Sequence, residues 1–180
     1  MTKLIIGPSC VGKSLYIDSL IKKKIISEND VFFGTQIKKF VLKKKKTSVL
    51  HYNILHYMVV GTENFTTEKF FLQILRNKLL FEDVIILVAP IEEIFLRVKE
   101  RIHSEKIRKT FSYDNNSWTE IYKKINLFKI YEDLFEILDI EKIKYKVLFS
   151  SNNLFKITDR VFVHQNLCGK YYELPNNDKR

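Results

Sequence analysis

The chain has 180 residues, 46% hydrophobic and 29% charged, which is typical of one globular domain with a sizeable core. No apolar run approaches the ~20 residues of a membrane span, and the first predicted strand leaves no room for a leader, so we expect a cytoplasmic protein without a membrane partner. The net charge of +10 indicates an anionic partner, either nucleotide or nucleic acid.

Residues 7–14 read Gly-Pro-Ser-Cys-Val-Gly-Lys-Ser and match G-x-x-x-x-G-K-[ST] at every position. A strand is predicted before them and a helix after them. In such a unit, backbone N–H groups and the helix N-terminus form a nest for phosphate. We expect the side chain of Lys13 to point into an open cleft and reach the β- and γ-phosphates, and Ser14 to bind Mg²⁺. The motif predicts a nucleoside triphosphate site made of Gly7, Pro8, Ser9, Cys10, Val11, Gly12, Lys13 and Ser14.

Apolar patterning predicts alternating strands and helices along the whole chain. The strands are predicted at 3–6, 30–33, 48–52, 84–88 and 145–149, and the helices at 13–25, 37–42, 67–80, 91–102 and 117–140. This order predicts an α/β fold in which a five-stranded parallel sheet carries helices on both faces, with ligands at the carboxyl ends of the strands. We expect residues 1–180 to form a single domain. The segment beyond Phe155 fits either a helix or a closing strand.

The segment 84–101 reads as a buried strand, a turn with Ala89 and Pro90, and a helix that carries Arg97 and Arg101 on one side. Together with residues 7–14, it resembles the nucleoside and nucleotide kinases of the P-loop class, and the Gly-Pro-Ser opening looks most like guanylate kinases. The resemblance implies a three-layer P-loop NTPase fold with a small lid, which corresponds here to residues 103–116.

The arginines of this helix and of the predicted lid are candidates for catalysis with Lys13. Phosphoryl transfer spreads negative charge over the moving group, and arginines on a closing lid can stabilise that charge. We therefore predict catalytic roles for Arg97, Arg101 and Arg108. The alternative is an ordinary amphipathic helix whose arginines are solvated and paired with Glu93 or Glu100 through helical spacing.

The acceptor side lacks an expected acid. Asn53 follows the third predicted strand, where the kinases that the chain resembles carry an Asp or Glu that holds Mg²⁺ or activates the acceptor hydroxyl. An amide cannot act as a base and adds no charge to a metal site. His51 is an alternative proton acceptor, although a His in a buried strand is more often a packed core residue, and Glu63 is the best-placed replacement acid. The acceptor region near Gly34 lacks the Thr- and Arg-rich stretch of guanylate kinases, so the acceptor stays open among nucleotides, nucleosides and sugars.

The resemblance also suggests where the donor base rests, which is the loop after the last core strand. This loop corresponds to residues 150–153, and Asn152 is its candidate contact, without a preference between ATP and GTP. The leading interpretation is a kinase that uses ATP and Mg²⁺ on a small anionic or hydroxyl acceptor. A regulatory ATPase or GTPase without an acceptor is favoured by the missing acid. A polynucleotide kinase would use the lysines at 43–46 to hold backbone phosphates, although these lysines also fit a solvated loop. The oligomeric state stays open.

Overall fold

The computed structural model describes residues 2–43, 45, 47–54, 81–102, 122 and 125–172, and the protein has an α/β architecture, as predicted. The described strands are β1 (Lys3–Gly7), β2 (Val31–Phe33), β3 (Val49–Asn53), β4 (Asp83–Val88), β5 (Tyr145–Ser151) and β6 (Leu154–Thr158). The described helices are α1 (Lys13–Lys22), α2 (Ile37–Lys43), α3 (Ile91–Ile102), α4 (Leu127–Ile140) and α5 (Arg160–Tyr172), with short 3₁₀ turns at Glu28–Asp30 and Gly34–Gln36. The predicted helix at 67–80 and the predicted lid at 103–116 lie outside the described residues.

The sheet is mixed, and the prediction of five parallel strands is wrong. Its order is β2-β3-β1-β4-β5-β6; the first five strands are parallel, and β6 runs antiparallel to β5 at the edge. The chain reverses through a two-residue turn in which Asn152 and Asn153 have φ angles of 48° and 60°. Asn tolerates this left-handed conformation, which is the geometry that closes tight β-hairpins.

The centre of the sheet is covered on both faces. Every residue of β4 is buried, and Leu4, Ile5 and Ile6 of β1 are fully inaccessible. Since successive side chains of a strand point to opposite faces, burial of consecutive residues requires packing on both sides. The Val-Ile-Ile-Leu-Val run therefore forms the central strand that its composition indicates.

Local signals decide where the helices begin and end. The side chain of Asn126 accepts a hydrogen bond from the backbone N–H of Lys129 at 3.0 Å and caps the N-terminus of α4. The prediction of one continuous helix over 117–140 is therefore wrong. Helix α1 ends at Lys22 rather than near residue 25, because Lys24 turns left-handed with φ 56°. The segment beyond Phe155 contains both the end of a strand and a helix.

The sheet order creates a crevice beside β1. β1 and β3 are neighbours, but the chain continues from β1 toward β2 on one side and from β3 toward β4 on the other. Ligands of open α/β sheets bind outside the carboxyl ends of strands at such a reversal. Gly7 and Asn53 are paired at this point of the sheet. Among the described helices, none is long and apolar enough to cross a lipid bilayer.

Candidate functional site

The segment 7–14 forms a tight loop between β1 and α1, and two glycines make that loop sterically feasible. A Cβ atom on Gly7 would lie 2.9 Å from the carbonyl oxygen of Leu87 and 2.8 Å from a methyl carbon of Val11. Gly12 has φ 104°, a left-handed conformation, and a Cβ there would lie 2.8 Å from the hydroxyl oxygen of Ser150. The motif glycines thus allow the loop to pack against β4 and β5.

All six carbonyl groups of residues 7–12 accept a hydrogen bond. The donors come from five different side chains or backbone groups. Lys13 Nζ donates to Gly7 and Pro8, the Ile54 backbone N–H also to Gly7, the Tyr122 hydroxyl to Ser9, the Arg97 guanidinium to Cys10 and Val11, and the Tyr16 backbone N–H to Gly12. The path of the loop backbone is therefore fixed from its carbonyl side.

These contacts also orient the amide groups of the loop. In a planar trans peptide, the N–H of each residue is antiparallel to the carbonyl of the residue before it, and the described chain has no cis peptide bond. The N–H groups of Cys10, Val11 and Gly12 consequently point away from Tyr122 and Arg97. Successive N–H groups that point to one side make a concave site for anions.

Lys13 is buried inside the loop, and the expectation that it points into an open cleft is wrong. The residue is 4% exposed, and its ammonium group lies 2.8 Å from the Gly7 carbonyl oxygen and also contacts that of Pro8. A buried ammonium group needs acceptors, and the loop carbonyls are within its reach. Ser14 is exposed in the first turn of α1, at the mouth of the loop.

Arg97 lies against the outer side of the loop. One terminal nitrogen, Nη1, donates to the carbonyl oxygens of Val11 at 2.9 Å and Cys10 at 3.4 Å. The other, Nη2, donates to Glu93 at 2.6 Å and to Ser150 at 3.2 Å. The side chain is 12% exposed, so the alternative of a solvated arginine is wrong for this residue. Its donors point to loop carbonyls, and this arrangement is that of a positioning residue.

The other two arginines with predicted catalytic roles are Arg101 and Arg108. Arg101 follows Arg97 by four residues and falls in the last turn of α3. Arg108 lies outside the described residues. The predicted catalytic roles of both arginines stay predictions.

The turn between β5 and β6 is joined to the same network. Glu93 Oε1 accepts hydrogen bonds from the Ser151 hydroxyl at 2.6 Å and from the backbone N–H of Asn152 at 2.9 Å. The structure therefore brings Asn152 close to the loop through Glu93 and Arg97, as the sequence interpretation of residues 150–153 requires. Its predicted contact with a nucleotide base stays a prediction.

A cavity of about 700 Å³ runs along α1 and begins beside the loop. At the loop end it is lined by Leu15, Asn153, Leu154 and Phe155, and at the far end by Lys22, Lys23, Asp83 and Lys146. Only the first end is adjacent to the loop of residues 7–14, because Leu15 follows Ser14 directly. Most of the cavity lies along the flank of α1, away from the crevice between β1 and β3.

The acceptor candidates are divided between the crevice and the strands below it. Asn53 ends β3 opposite Gly7 and lies at the crevice, where the missing acid was expected. His51 lies two residues earlier, level with Ile5, and its ring contacts Phe33 with centroids 5.3 Å apart. His51 is only partly buried, and its role as a proton acceptor stays a prediction.

The remaining acceptor candidates add little to the crevice. Gly34 follows β2 and packs on Tyr52, because a Cβ there would lie 3.3 Å from the Tyr52 ring. Glu63 lies outside the described residues.

Within the described ranges, no group of three His, Cys, Asp or Glu side chains could hold a metal ion. The lysine run 43–46 begins at the last residue of α2, so it does not lie wholly in a loop.

Sequence reasoning missed Tyr122. The Tyr122 hydroxyl donates to the Ser9 carbonyl across more than one hundred positions, and no local pattern indicates such a contact. The Glu93–Arg97 pair, in contrast, is visible in the sequence as an i, i+4 spacing of opposite charges.

Comparisons of the chain with protein-family models and with curated proteins find no match. The kinase resemblance thus depends on residues 7–14 and 84–101 alone. Around residues 7–14 a strand, a turn and a helix follow one another in the order that the motif predicts, and the resemblance itself stays a prediction.

Proposed function

We propose that this protein is an ATP-dependent phosphotransferase that moves a phosphoryl group to a small anionic or hydroxyl acceptor. The observation that carries the proposal is the loop of residues 7–14, in which every carbonyl from Gly7 to Gly12 is tied down. A backbone held in this way presents its N–H groups without reorganisation when phosphates bind, and such preorganisation strengthens electrostatic binding.

Lys13 supports a triphosphate rather than a single phosphate. Its ammonium group is held on the carbonyls of Gly7 and Pro8, inside the loop that would receive the phosphates. Exchange of these carbonyls for β- and γ-phosphate oxygens would add the attraction between opposite charges to the hydrogen bonds of the ammonium group.

The loop end of the cavity supports a nucleoside as the rest of the donor. Leu15 is 42% exposed and Leu154 is 74% exposed there, next to the polar Asn153. Apolar walls with a few polar groups are typical of sites for planar ligands. A base attached to phosphates in the loop would therefore find an apolar surface within reach.

Magnesium fits this site only together with phosphates. The Ser14 hydroxyl would hold the ion, and Asn53 would orient one of its waters, but neither supplies charge. When bound, Mg²⁺ neutralises charge on the transferring phosphates. Ser14 and Asn53 together provide neutral oxygen donors near the start of α1 and the end of β3.

In the transfer, the bond between the γ-phosphorus and the bridging oxygen breaks as a bond to the acceptor oxygen forms. ADP leaves with the bridging oxygen, and the proton of an acceptor hydroxyl passes to water. The loose transition state leaves little covalent chemistry for the protein. Positioning by the loop and charge from Lys13 and Arg101 would carry the catalysis. The amide of Asn53 is compatible with catalysis that depends on positioning and charge.

Titration calorimetry with Mg-ATP and Mg-GTP tests the proposal. We expect binding by the wild type and its loss in Lys13→Ala, with circular dichroism to verify that the variant is folded. Lys129→Ala is the matched control, since Lys129 is 68% exposed on α4 and should leave affinity unchanged. Normal ATP affinity in folded Lys13→Ala would contradict the assignment.

A thermal-shift screen of nucleotides, nucleosides and sugar phosphates would identify the acceptor, because a ligand at 100 times its Kd adds about 2.7 kcal/mol of stability.

A nucleotide-binding regulatory ATPase or GTPase is the second candidate, and Asn53 favours it. The residue occupies the crevice position opposite Gly7 without the charge of an acid. Product analysis separates the two functions. Phosphorylated acceptor indicates a kinase, whereas slow release of inorganic phosphate that no acceptor changes indicates the regulatory protein.

A further inference from the structure

Glu93 and Arg97 connect two separate parts of the chain through α3. Arg97 holds the carbonyls of Cys10 and Val11, while Glu93 Oε1 holds the hydroxyl of Ser151 and the backbone N–H of Asn152. The two side chains join each other at 2.6 Å through Glu93 Oε2. The pair therefore forms a continuous chain of hydrogen bonds from the phosphate loop to the β5–β6 turn.

This pair differs from an ordinary helical ion pair. Lys129 and Asp133 on α4 have the same spacing and a similar distance, 3.0 Å, but their side chains are 68% and 38% exposed. The side chains of Arg97 and Glu93 are 12% and 19% exposed, and each also binds backbone groups of another element. An exposed pair contributes little to stability, whereas a desolvated pair with several fixed acceptors holds a geometry.

We propose that Glu93 and Arg97 form a positioning pair that couples the phosphate loop to the β5–β6 turn, so that the triphosphate and the nucleoside of one ligand are bound as a unit. The coupling to a nucleotide rests on the proposed function. Its structural basis is that the turn continues into Asn153 and Leu154, which line the cavity beside the loop. Movement of the turn would change the nucleoside surface without changing the phosphate nest.

Glu93→Gln tests the coupling because an amide has one oxygen, whereas the carboxylate of Glu93 accepts from Arg97 with one oxygen and from the turn with the other. Its single oxygen can accept from the turn or from Arg97, and its NH₂ group is a donor that repels the other donor. Arg97 would still hold the loop carbonyls. We therefore expect Mg-ATP affinity to fall about ten-fold and Mg-tripolyphosphate affinity to change less than about three-fold.

Arg97→Lys tests the hold on the loop itself. A lysine ammonium lacks the planar fork that reaches four acceptors, so affinity for both ligands should fall together. Asp133→Asn removes the exposed pair of α4 and should change neither affinity. Equal losses of both ligands in Glu93→Gln, or no loss of either, would overturn the coupling.

A measurement without nucleotide separates this inference from the proposed function. In a Cys168→Ser background, Cys10 is the remaining thiol of the chain, and it is buried at 5% exposure inside the loop. Release of the Cys10 carbonyl in Arg97→Lys should speed labelling of that thiol by a maleimide about ten-fold, with Asp133→Asn unchanged. Faster labelling in a protein that binds neither ATP nor tripolyphosphate would refute the kinase proposal and keep the positioning role of Arg97. Unchanged labelling would refute the positioning role.

Discussion

The two edges of the sheet use charged side chains in opposite ways. At the amino-terminal edge, the carboxylate of Asp83 forms ion pairs with Lys3 and Lys146, and each N–O distance is 3.1 Å. The negative charge there is matched by positive charges. At the carboxyl-terminal edge, Lys13 and Arg97 donate to backbone carbonyls of the loop. The first arrangement joins charges across neighbouring strands and stabilises the sheet, while the second, in which Arg97 is also paired with Glu93, fixes the path of a backbone loop.

This contrast also removes two acids from the search for a catalytic base. Asp83 opens β4 at the edge far from the loop, as its place in the sequence predicts. Asp30 precedes β2 and accepts a hydrogen bond from Thr47 at 2.8 Å, at the same edge. Neither carboxylate can reach a phosphate bound in the loop.

Arg101→Ala should give the largest effect at the carboxyl edge. If Arg101 meets the phosphates only in the transition state, the turnover rate should fall roughly 10²–10³-fold while ATP affinity changes little. Arg101→Lys should rescue only part of the rate, because an ammonium group cannot grip two phosphate oxygens in one plane. Steady-state kinetics with an identified acceptor provide the measurement.

The matched control for Arg101 is Arg160→Ala on α5, which breaks ion pairs with Glu132 and Asp139 but should leave turnover unchanged. Unchanged turnover in Arg101→Ala would make the end of α3 an ordinary surface. The regulatory ATPase or GTPase would then be the better interpretation.

Gly7→Ala should be the next largest effect, on the free energy of unfolding. The added methyl group would press on a backbone oxygen of β4, which cannot rotate away, and we expect a loss of about 2–3 kcal/mol. Gly34→Ala is the matched control because its nearest neighbour is a Tyr52 ring carbon at 3.3 Å, a side chain that can shift. Urea unfolding should show a loss below about 1 kcal/mol for that control. Equal losses in the two variants would mean that the loop does not pack against β4 as described.

The ion pairs of Asp83 at the amino-terminal edge of the sheet should make the stability of the protein sensitive to acid. Burial raises the pKa of Asp83, but the hydrogen bonds and charges of Lys3 and Lys146 together hold it below its usual 3.8. A depressed folded-state pKa means that this stabilisation is present above pH 3.8 and is lost as the pH falls below it.

Asp83→Asn isolates this contribution. We expect it to cost about 1–2 kcal/mol at pH 7 and to flatten the loss of stability between pH 4 and pH 2, as measured by urea unfolding. Asp133→Asn, which removes an exposed pair, should cost less than about 0.5 kcal/mol. An acid profile that Asp83→Asn leaves unchanged would assign the sensitivity to other carboxylates.

The sequence predicts the strands and helices of the core well because their signals are local. The Val-Ile-Ile-Leu-Val run defines the interior of β4, and α3 spans the predicted residues 91–102. The loop is likewise predicted, because its motif is contiguous in the sequence, although the steric demand on its glycines comes from Leu87 and Ser150 on other strands. The strands and helices of the core need no knowledge of what packs against them.

The features that the sequence does not predict depend on distant contacts, or on a backbone conformation that the residue type allows but does not require. The sequence beyond Phe155 does not decide between a strand and a helix, because β6 is an edge strand whose Leu154 and Ile157 are exposed and give no clear alternation. The Asn152–Asn153 pair reads as a turn, but a reversal into a sixth strand requires both residues to be left-handed. The buried Lys13 follows from acceptors that the loop itself supplies only once it is folded.

Asn53→Asp should have the smallest effect and sharpens the contrast between the edges, because it adds a carboxylate where the carboxyl edge has an amide. In the wild type, Mg²⁺ should bind only with nucleotide, through Ser14, phosphates and waters. The added charge opposite Gly7 should raise Mg²⁺ affinity of the nucleotide complex several-fold, roughly 1 kcal/mol, as measured by metal titration with ATP present. Asn166→Asp on α5 makes the same charge change away from the crevice and should leave Mg²⁺ affinity as it is. A tight Mg²⁺ site in the nucleotide-free wild type would mean that an acid from elsewhere in the chain already serves the position, and the amide at the end of β3 would lose its significance.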